Sequence, residues 1–551
     1  MKNLYHLAAL ALLLCLNTNA DAQQSRRTAS RARTNAKAKK KAEPLVVIKA
    51  DSLDHAQSIA GFAASDAWSM QVLGLWPNDK QQQMADWLFS PAEADTLGQP
   101  KGIALSMWRF NIGTGSAYQG EKSQINEDTR TESFLQMDGR YNWKAQAGQR
   151  SFLRLAKERG VSQFIAFCNS PHVAFTDNKL ATNTGRGATL NLRANAYVPF
   201  AISLANVLKG LEQHEGIHFD YISPFNEPES PGNWQGPKQE GTPATKAEMA
   251  KLLRLLDKQL EMRKLNTQII APEAADYRCL WENHQTDWQR GHELASMMLP
   301  DSTDAYIANL PHFKRVVAAH SYWTTTPDSM LRACRDTIRQ LIKEHDAHLW
   351  QTEVCIMQND TAIGGGHGFD PTMKTALYVA RIIHHDLAVA NAESWQWWRA
   401  AGGNYKDGLL FYEVQNRTDS VTSQLIPDGN FRDSKLLWAL GNYSRFVRPG
   451  ATRLDFDLTN PQGLMVSVYQ NARGAAFNAH TPKELSQLEG STVVVAVNYG
   501  KGTQRLQLPA GAWQAYITSD AKDDNLRPLG TLTEQPYIMP ARSIVTFVRK
   551  Q

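Results

Sequence analysis

Two acidic residues of this 551-residue chain stand where reactive groups would be needed. In FDYISPFNEPE an apolar run ends in Asn226-Glu227-Pro228, and the proline stops regular strand pairing, which leaves Glu227 at the strand's mouth. In AHLWQTEVC a second apolar run ends in Glu353. Two carboxyls aimed at one point can divide proton transfer and nucleophilic attack on an acetal carbon between them. Their separation selects the course: ~5–5.5 Å supports double displacement with retention, and ~6.5–9.5 Å supports single displacement with inversion. Glu229, Glu240, Glu273 and Glu393 are rival carboxylates. Of these, Glu229 and the loop residue Glu240 suit contact with substrate or solvent better than proton transfer.

Glu227 and Glu353 are far apart in the chain, so a fold must bring them together. From residue 59 to 444 short apolar runs alternate with amphipathic helical stretches, the pattern of repeated β-α units. The strand candidates are residues 58–63, 102–110, 162–167, 219–225, 268–271, 316–320, 347–351 and 394–398, with helices predicted over 197–211, 246–265, 330–344 and 372–391. Eight such units predict an α/β chain with a (β/α)₈ TIM barrel, whose active site lies where strands run into loops. Glu227 and Glu353 then close the fourth and seventh strands. After Pro449-Gly450 the texture turns to short strands and turns, predicting an attached C-terminal β-sandwich over 445–551, which strand-like residues 44–58 join.

Composition excludes several classes. With 42% hydrophobic and 21% charged residues the chain is globular, not disordered throughout or collagenous. Residues 1–22 read as an export signal, with Lys2, an apolar run over 7–16 and the small-x-small triplet Ala20-Asp21-Ala22, so a periplasmic or extracellular location is expected. Residues 23–43 carry eight Lys or Arg against Glu43 and no large apolar side chain, predicting a basic flexible linker. That segment carries +7 against a net charge of +5 for the chain, so residues 44–551 sum to −2, close to neutral, and neither nucleic-acid binding nor a membrane span is expected. Cys168, Cys279, Cys334 and Cys355 are dispersed and lack the spacing of a metal framework; an oxidising compartment would permit a disulfide, but small buried thiols fit their apolar surroundings better. No metal site and no cofactor are expected.

The ordered motifs GFAASDAWSM (61–70), WRFNIG (108–113), CNSPH (168–172), FNEPE (225–229), HSYW (320–323), QTEV (351–354), SWQWW (394–398) and LGNYSRFVRPG (440–450) resemble those of glycoside hydrolase family 30. The resemblance spans about residues 45–551. It implies a clan A retaining glycosidase with a barrel and an attached β-sandwich, Glu227 as general acid/base and Glu353 as nucleophile. It further implies that Arg109 orients the nucleophile, that Asn226 holds the sugar 2-hydroxyl, and that His320 and Tyr322 hydrogen-bond near the nucleophile. Aromatic side chains at strand ends suit pyranose faces. Trp234, Trp395 and Trp397 are therefore candidate substrate contacts, along with Trp68, Trp108, Trp323 and Trp398; Trp395 and Trp397 share one face of their strand, opposite Gln396 and Trp398.

The expected partner is a β-linked polysaccharide or oligosaccharide. The loop after Glu227 and the CNSPH motif look most like endo-β-1,6-galactanases. Alternatives are a β-1,6-glucanase or a xylan- or xyloside-active enzyme of the same family, and a non-catalytic carbohydrate-binding protein. An envelope adhesin acting through residues 23–43 is a third class.

Overall fold

The computed structural model describes residues 45–49, 53–230, 232, 234–236, 238–300, 304–357, 359–403, 406–414, 428–460, 462–474 and 481–550. The predicted export signal and basic linker lie outside these residues. Eight parallel strands follow one another: β1 Gly61–Ala64, β2 Met107–Asn111, β3 Gln163–Phe167, β4 Tyr221–Ser223, β5 in two pieces (Gln268–Ile269 and Ala271–Ala274), β6 Val316–His320, β7 His348–Glu353 and β8 Ser394–Trp397. Each is followed by a helix: α1 Asn78–Phe89, α2 Ala147–Glu158, α3 Tyr197–Glu215, α4 Lys246–Met262, α5 Glu293–Met298, α6 Asp328–Glu344, α7 Met373–His384 and α8 Lys435–Ser444.

The strands form two parallel sheets, β2-β3-β4-β5 and β5-β6-β7-β8-β1, which share β5 through its two pieces. At the other junction a single parallel bridge pairs Ser65 with Arg109, and the Asp66 N–H donates to the Arg109 carbonyl at 3.0 Å. Ala63, Met107, Ile165, Ile270, Val316, Ala318 and Trp350 meet on the inner face, while the outer face joins the helices in the main core. This is a TIM-barrel-like α/β domain. Strands buried on both faces explain the unbroken apolar runs of the sequence. Local signals agree with the elements: Thr245 and Glu248 form a reciprocal capping box at the start of α4, and Gly216 ends α3 in the left-handed region.

The C-terminal β domain holds a seven-stranded antiparallel sheet ordered His55–Ser58, Thr452–Thr459, Leu464–Gln470, Thr492–Asn498, Ser543–Arg549, Gln514–Thr518 and Arg527–Thr531. Both faces of this sheet are covered. Val493, Val495 and Val497 join the core that includes the barrel helices, whereas Val494 and Ala496 face a second core with Leu506, Trp513 and Phe547. Gln504–Gln507 pairs there with Tyr537–Met539 and takes the Ile48 N–H on its other edge.

Most element boundaries differ by a few residues from those read in the sequence, and three of the differences have a visible physical cause. The run 58–63 divides because its backbone changes partners: His55–Ser58 pairs in the β domain, while the Ala60 N–H turns to the Glu393 carbonyl and starts β1. In the run 102–110 only Met107 onward is strand, since Ile103 and Leu105 donate to carbonyls of α1 and the Gly102 carbonyl accepts from Arg445. The helix expected over 372–391 ends at His384 and widens into a π turn, His385–Val389, which brings Asp386 against Arg335, Tyr277 and Trp395.

Candidate active site

The inner ends of β2, β5, β6 and β7 and the loop after β4 converge on one cluster. Arg109 of β2 donates from Nη1 to Glu353 Oε2 at 2.6 Å and lies 3.5 Å from Glu273 Oε2. His320, which ends β6, faces Glu227 Oε1 with Nδ1 at 3.2 Å and Glu273 Oε2 with Nε2 at 3.0 Å. Tyr322 donates its hydroxyl to Glu353 Oε1 at 3.1 Å, and Thr352 donates to Glu273 Oε2 at 2.6 Å. One carboxylate oxygen each of Glu227 and Glu353 and one nitrogen of His320 lie within 4.8 Å of one another.

Backbone irregularities aim these groups. The β6-β7 register shifts between Gln351 and Glu353, so the successive residues Thr352 and Glu353 both reach the interior. A similar shift in β5 falls between Pro272 and Ala274 and places Glu273, at φ 68°, under Arg109 and His320. Glu227 is also left-handed, at φ 49°, and the surrounding structure holds it there. Its N–H donates to the Glu273 carbonyl at 2.9 Å, and its carbonyl accepts from Trp234 Nε1 at 3.0 Å. Trp234 in turn lies on Gly241, where a Cβ would come within 2.1 Å of the indole.

The cluster is buried, and its charges act in a poorly screened space. Burial alone would depress His320, but Glu353, Glu227 and Glu273 outweigh it and push the imidazole up to about 10, so it is an imidazolium donating from both nitrogens. Glu273 is drawn the other way: burial raises its carboxyl, yet Arg109, His320 and Thr352 hold it down at about 2. Burial pushes Glu353 up, opposed by His320 and Arg109 and reinforced by the facing Glu227. Arg109 lies 3.8 Å from the Phe167 ring, and burial's pull on its proton is overcome by Glu273 and Glu353. Glu227, His320 and Glu353 each offer one ligand atom, all within 4.8 Å of one another, close enough to surround a cation.

At the same strand ends, buried side-chain polar atoms lack a hydrogen-bond partner in the protein: Trp68 Nε1, both amide atoms of Asn111 and of Asn169, Ser170 Oγ and Asn226 Oδ1. All follow or end β1 to β4. Such groups are costly unless something hydrogen-bonds them, and sugar hydroxyls supply both donors and acceptors. Trp68 and Trp398 meet edge to face at 5.2 Å in the same apolar patch as Phe167.

Residues 45–411 match the family model described as O-glycosyl hydrolase family 30. The chain belongs to this family. A curated relative, an endo-β-1,6-galactanase of Hypocrea rufa, is 26% identical over 233 residues, which cover 39% of this chain and 47% of the relative, so the match spans about half the relative's length. A glucuronoxylanase of Bacillus subtilis is 23% identical over 385 residues, 67% of this chain and 70% of the relative. A solved structure of a conserved exported protein from Bacteroides fragilis is 32% identical, with a TM-score of 0.80 over 92% of this chain and 100% of that one.

Within this family member, the candidates Arg109, Glu227, His320, Tyr322 and Glu353 come together, and Asn226 is the buried chain neighbour of Glu227. Four tryptophan expectations are corrected. Trp395 and Trp397 are buried on the outward face of β8, stacked at 5.9 Å, with their indole N–H groups donating to Asp386 and to the Asp407 carbonyl. They do share a face, but it is the helix-side face, so neither offers a ring to substrate. Trp234 is likewise buried and bonds the Glu227 backbone. Trp108 is core against Phe89. Among the rivals, Glu240 is no solvent contact: it is buried and accepts from Thr114, Ser116 and Thr131, and burial raises it to about 7. Glu393 pairs with His348 at the opposite end of β7. Asn169, Ser170 and the anchoring roles of Glu273 and Thr352 were not singled out by sequence reasoning. The strand-end rule that found Glu227 would also have found Asn169, two residues past β3. Among the described residues Cys168, Cys279, Cys334 and Cys355 are free thiols, the first three buried and Cys355 half-buried. Among the described residues no helix is long and apolar enough to cross a membrane.

Proposed function

We propose that this protein is a retaining β-glycosidase that cleaves a β-linked polysaccharide internally by double displacement, with β-1,6-galactan as substrate. The observation that carries the reading is that one carboxylate oxygen of Glu227 and one of Glu353 lie within 4.8 Å of each other in one buried cluster, as two carboxyls acting on a single anomeric carbon require. Glu227 donates its proton to the leaving oxygen while a Glu353 oxygen attacks the anomeric carbon and the glycosidic bond breaks. Water, losing a proton to Glu227, then attacks the glycosyl ester, and the bond to Glu353 breaks. Arg109 and Tyr322, one on each Glu353 oxygen, fix the nucleophile, and Asn226 meets the 2-hydroxyl. His320 holds Glu227 by its Oε1 oxygen.

Galactan is favoured by the likeness to the Hypocrea rufa galactanase. The likeness to a glucuronoxylanase supports xylan as the second reading. The eight parallel strands support a closed barrel over residues 59–444, and the two cores of the β domain support a sandwich over 445–551 joined by residues 44–58. Residues 1–22 and the likeness to an exported protein support export. The test is product analysis on β-1,6-galactan, β-1,6-glucan and glucuronoxylan. Internal cleavage of the galactan, abolished in Glu353→Gln, is expected; cleavage of xylan alone would replace the galactan reading, and cleavage surviving Glu353→Gln would remove the mechanism.

A further inference from the structure

A cavity of about 230 Å³ lies where the β domain meets the barrel, lined by Glu93, Arg445, Glu484, Leu485, Tyr516 and Lys550 among other residues. Glu93 follows α1 and Arg445 follows α8, while Tyr516 stands on the strand Gln514–Thr518 and Lys550 comes just past Ser543–Arg549. Glu484 and Leu485 belong to a short helix, Lys483–Ser486. A barrel helix runs back against its strand, so the C-terminal ends of α1 and α8 lie at the end of the barrel opposite Glu227 and Glu353. The cavity is therefore separate from the catalytic cluster.

Its charges are buried or close together, yet they do not pair. Arg445 is 7% exposed and hydrogen-bonds only to carbonyls: Nη1 donates to Ser90 at 3.2 Å and Gly102 at 3.0 Å, and Nη2 to Pro91 at 2.6 Å and Ala92 at 3.3 Å. Burial pulls its guanidinium down to about 10, against the opposing pull of Tyr516, Glu93 and Glu484. The two acids thus act on Arg445 without forming an ion pair with it, and among the described residues neither carboxylate takes a side-chain hydrogen bond. Lys550 donates to the Gln487 amide oxygen at 3.0 Å. The Tyr516 ring is half-buried and packs on Phe446 with centroids 4.6 Å apart.

This arrangement selects among ligands. An anion would meet Arg445 and Lys550 but also Glu93 and Glu484, and an ammonium group would meet the reverse. A hydroxyl accepts from a guanidinium and donates to a carboxylate through one oxygen, so a neutral polyol satisfies both signs at once. Tyr516 and Leu485 offer an apolar face to the C–H side of a sugar ring. The volume is below the ~300–1,000 Å³ of sites for drug-sized ligands, which suits a single ring.

We infer that this cavity is a second binding site, which takes one uncharged pyranose unit of a glycan, with its hydroxyls between Arg445 and the two acids and its C–H face on Tyr516. The site supplies affinity for long glycans and no chemistry, since a chain held at one end of the barrel stays available to the other. It stands apart from the assignment of Glu227 and Glu353.

The test exposes the full chain to a photoreactive probe, a β-galactoside carrying an alkyl diazirine, and locates the labelled peptides by mass spectrometry. Label should appear in peptides holding residues 483–488 or 514–518 as well as at the strand ends. Methyl β-D-galactopyranoside should displace the cavity label, and galacturonate and galactosamine should not. Tyr516→Ala and Glu484→Gln should each weaken binding at the cavity roughly tenfold, the scale of one ring contact or one hydrogen bond, while label at the strand ends persists. Label confined to the strand ends, or absent from both places, would overturn the second site, and so would cavity label unchanged in both variants. Equal displacement by either charged sugar would overturn its selectivity. Cleavage of a β-linked glycan alongside an unlabelled cavity would leave the glycosidase reading intact.

Discussion

Arg109 and His320 bring two positive charges to the floor of the site against Glu227, Glu273 and Glu353, so the cluster is neutral when one carboxyl holds a proton. That count suits a mechanism in which one acid is protonated and its neighbour is not. It also makes His320 a linkage group. Its folded value of about 10 exceeds the ordinary 6.5, so its contribution to stability is full below the ordinary value and is lost as pH rises toward 10. Glu273 has the opposite sign: its stabilisation is present above the ordinary carboxyl range and is lost as pH falls toward about 2. His320→Gln should therefore flatten the alkaline decline in stability, measured by urea unfolding at neutral and alkaline pH. It should also cost about 3–5 kcal/mol at neutral pH by leaving buried carboxylates without their cation. Arg109→Lys loses the fork that reaches both Glu353 and Glu273. One charge-assisted hydrogen bond is worth about 1.5–3 kcal/mol, so kcat should fall roughly 10- to 100-fold in steady-state assays if the bond acts in the transition state.

Strand-level pattern made Glu227 and Glu353 legible, because each closes an apolar run and one is followed by proline. Glu273 was visible only as a rival acid. Its inward aim comes from a one-residue register shift in β5, and such a shift leaves no mark in composition or periodicity. Trp395 and Trp397 show the limit of the two-residue alternation: it says which side chains share a face, but not whether that face looks to the barrel axis or to the helices. On the helix side Asp386, carried by the π turn at His385–Val389, accepts from the Trp395 indole. Trp397→Ala should accordingly destabilise the fold by about 3–5 kcal/mol, as emptied aromatic core positions do, without a selective rise in KM. A large KM increase with unchanged unfolding would return this tryptophan to the substrate.

The chain places its β domain against the barrel by covering both faces of one sheet. TVVVAVN is continuous for this reason, with alternate valines in two different cores. The first strand, His55–Ser58, belongs to the β domain, and Asn442 of α8 accepts from Thr546 at 2.7 Å and donates to Thr518 at 2.8 Å. Calorimetry should show barrel and β domain unfolding in one transition, and a chain ending at residue 450 should be insoluble, because it bares the helices that Val493, Val495 and Val497 cover. Two separated transitions would contradict that coupling. The most direct test of the central claim is proton NMR of the first product released from β-1,6-galactan, or from whichever β-linked glycan is cleaved. Two carboxyls as close as Glu227 and Glu353 predict that the new reducing end appears first as the β anomer. An α anomer appearing first would contradict it.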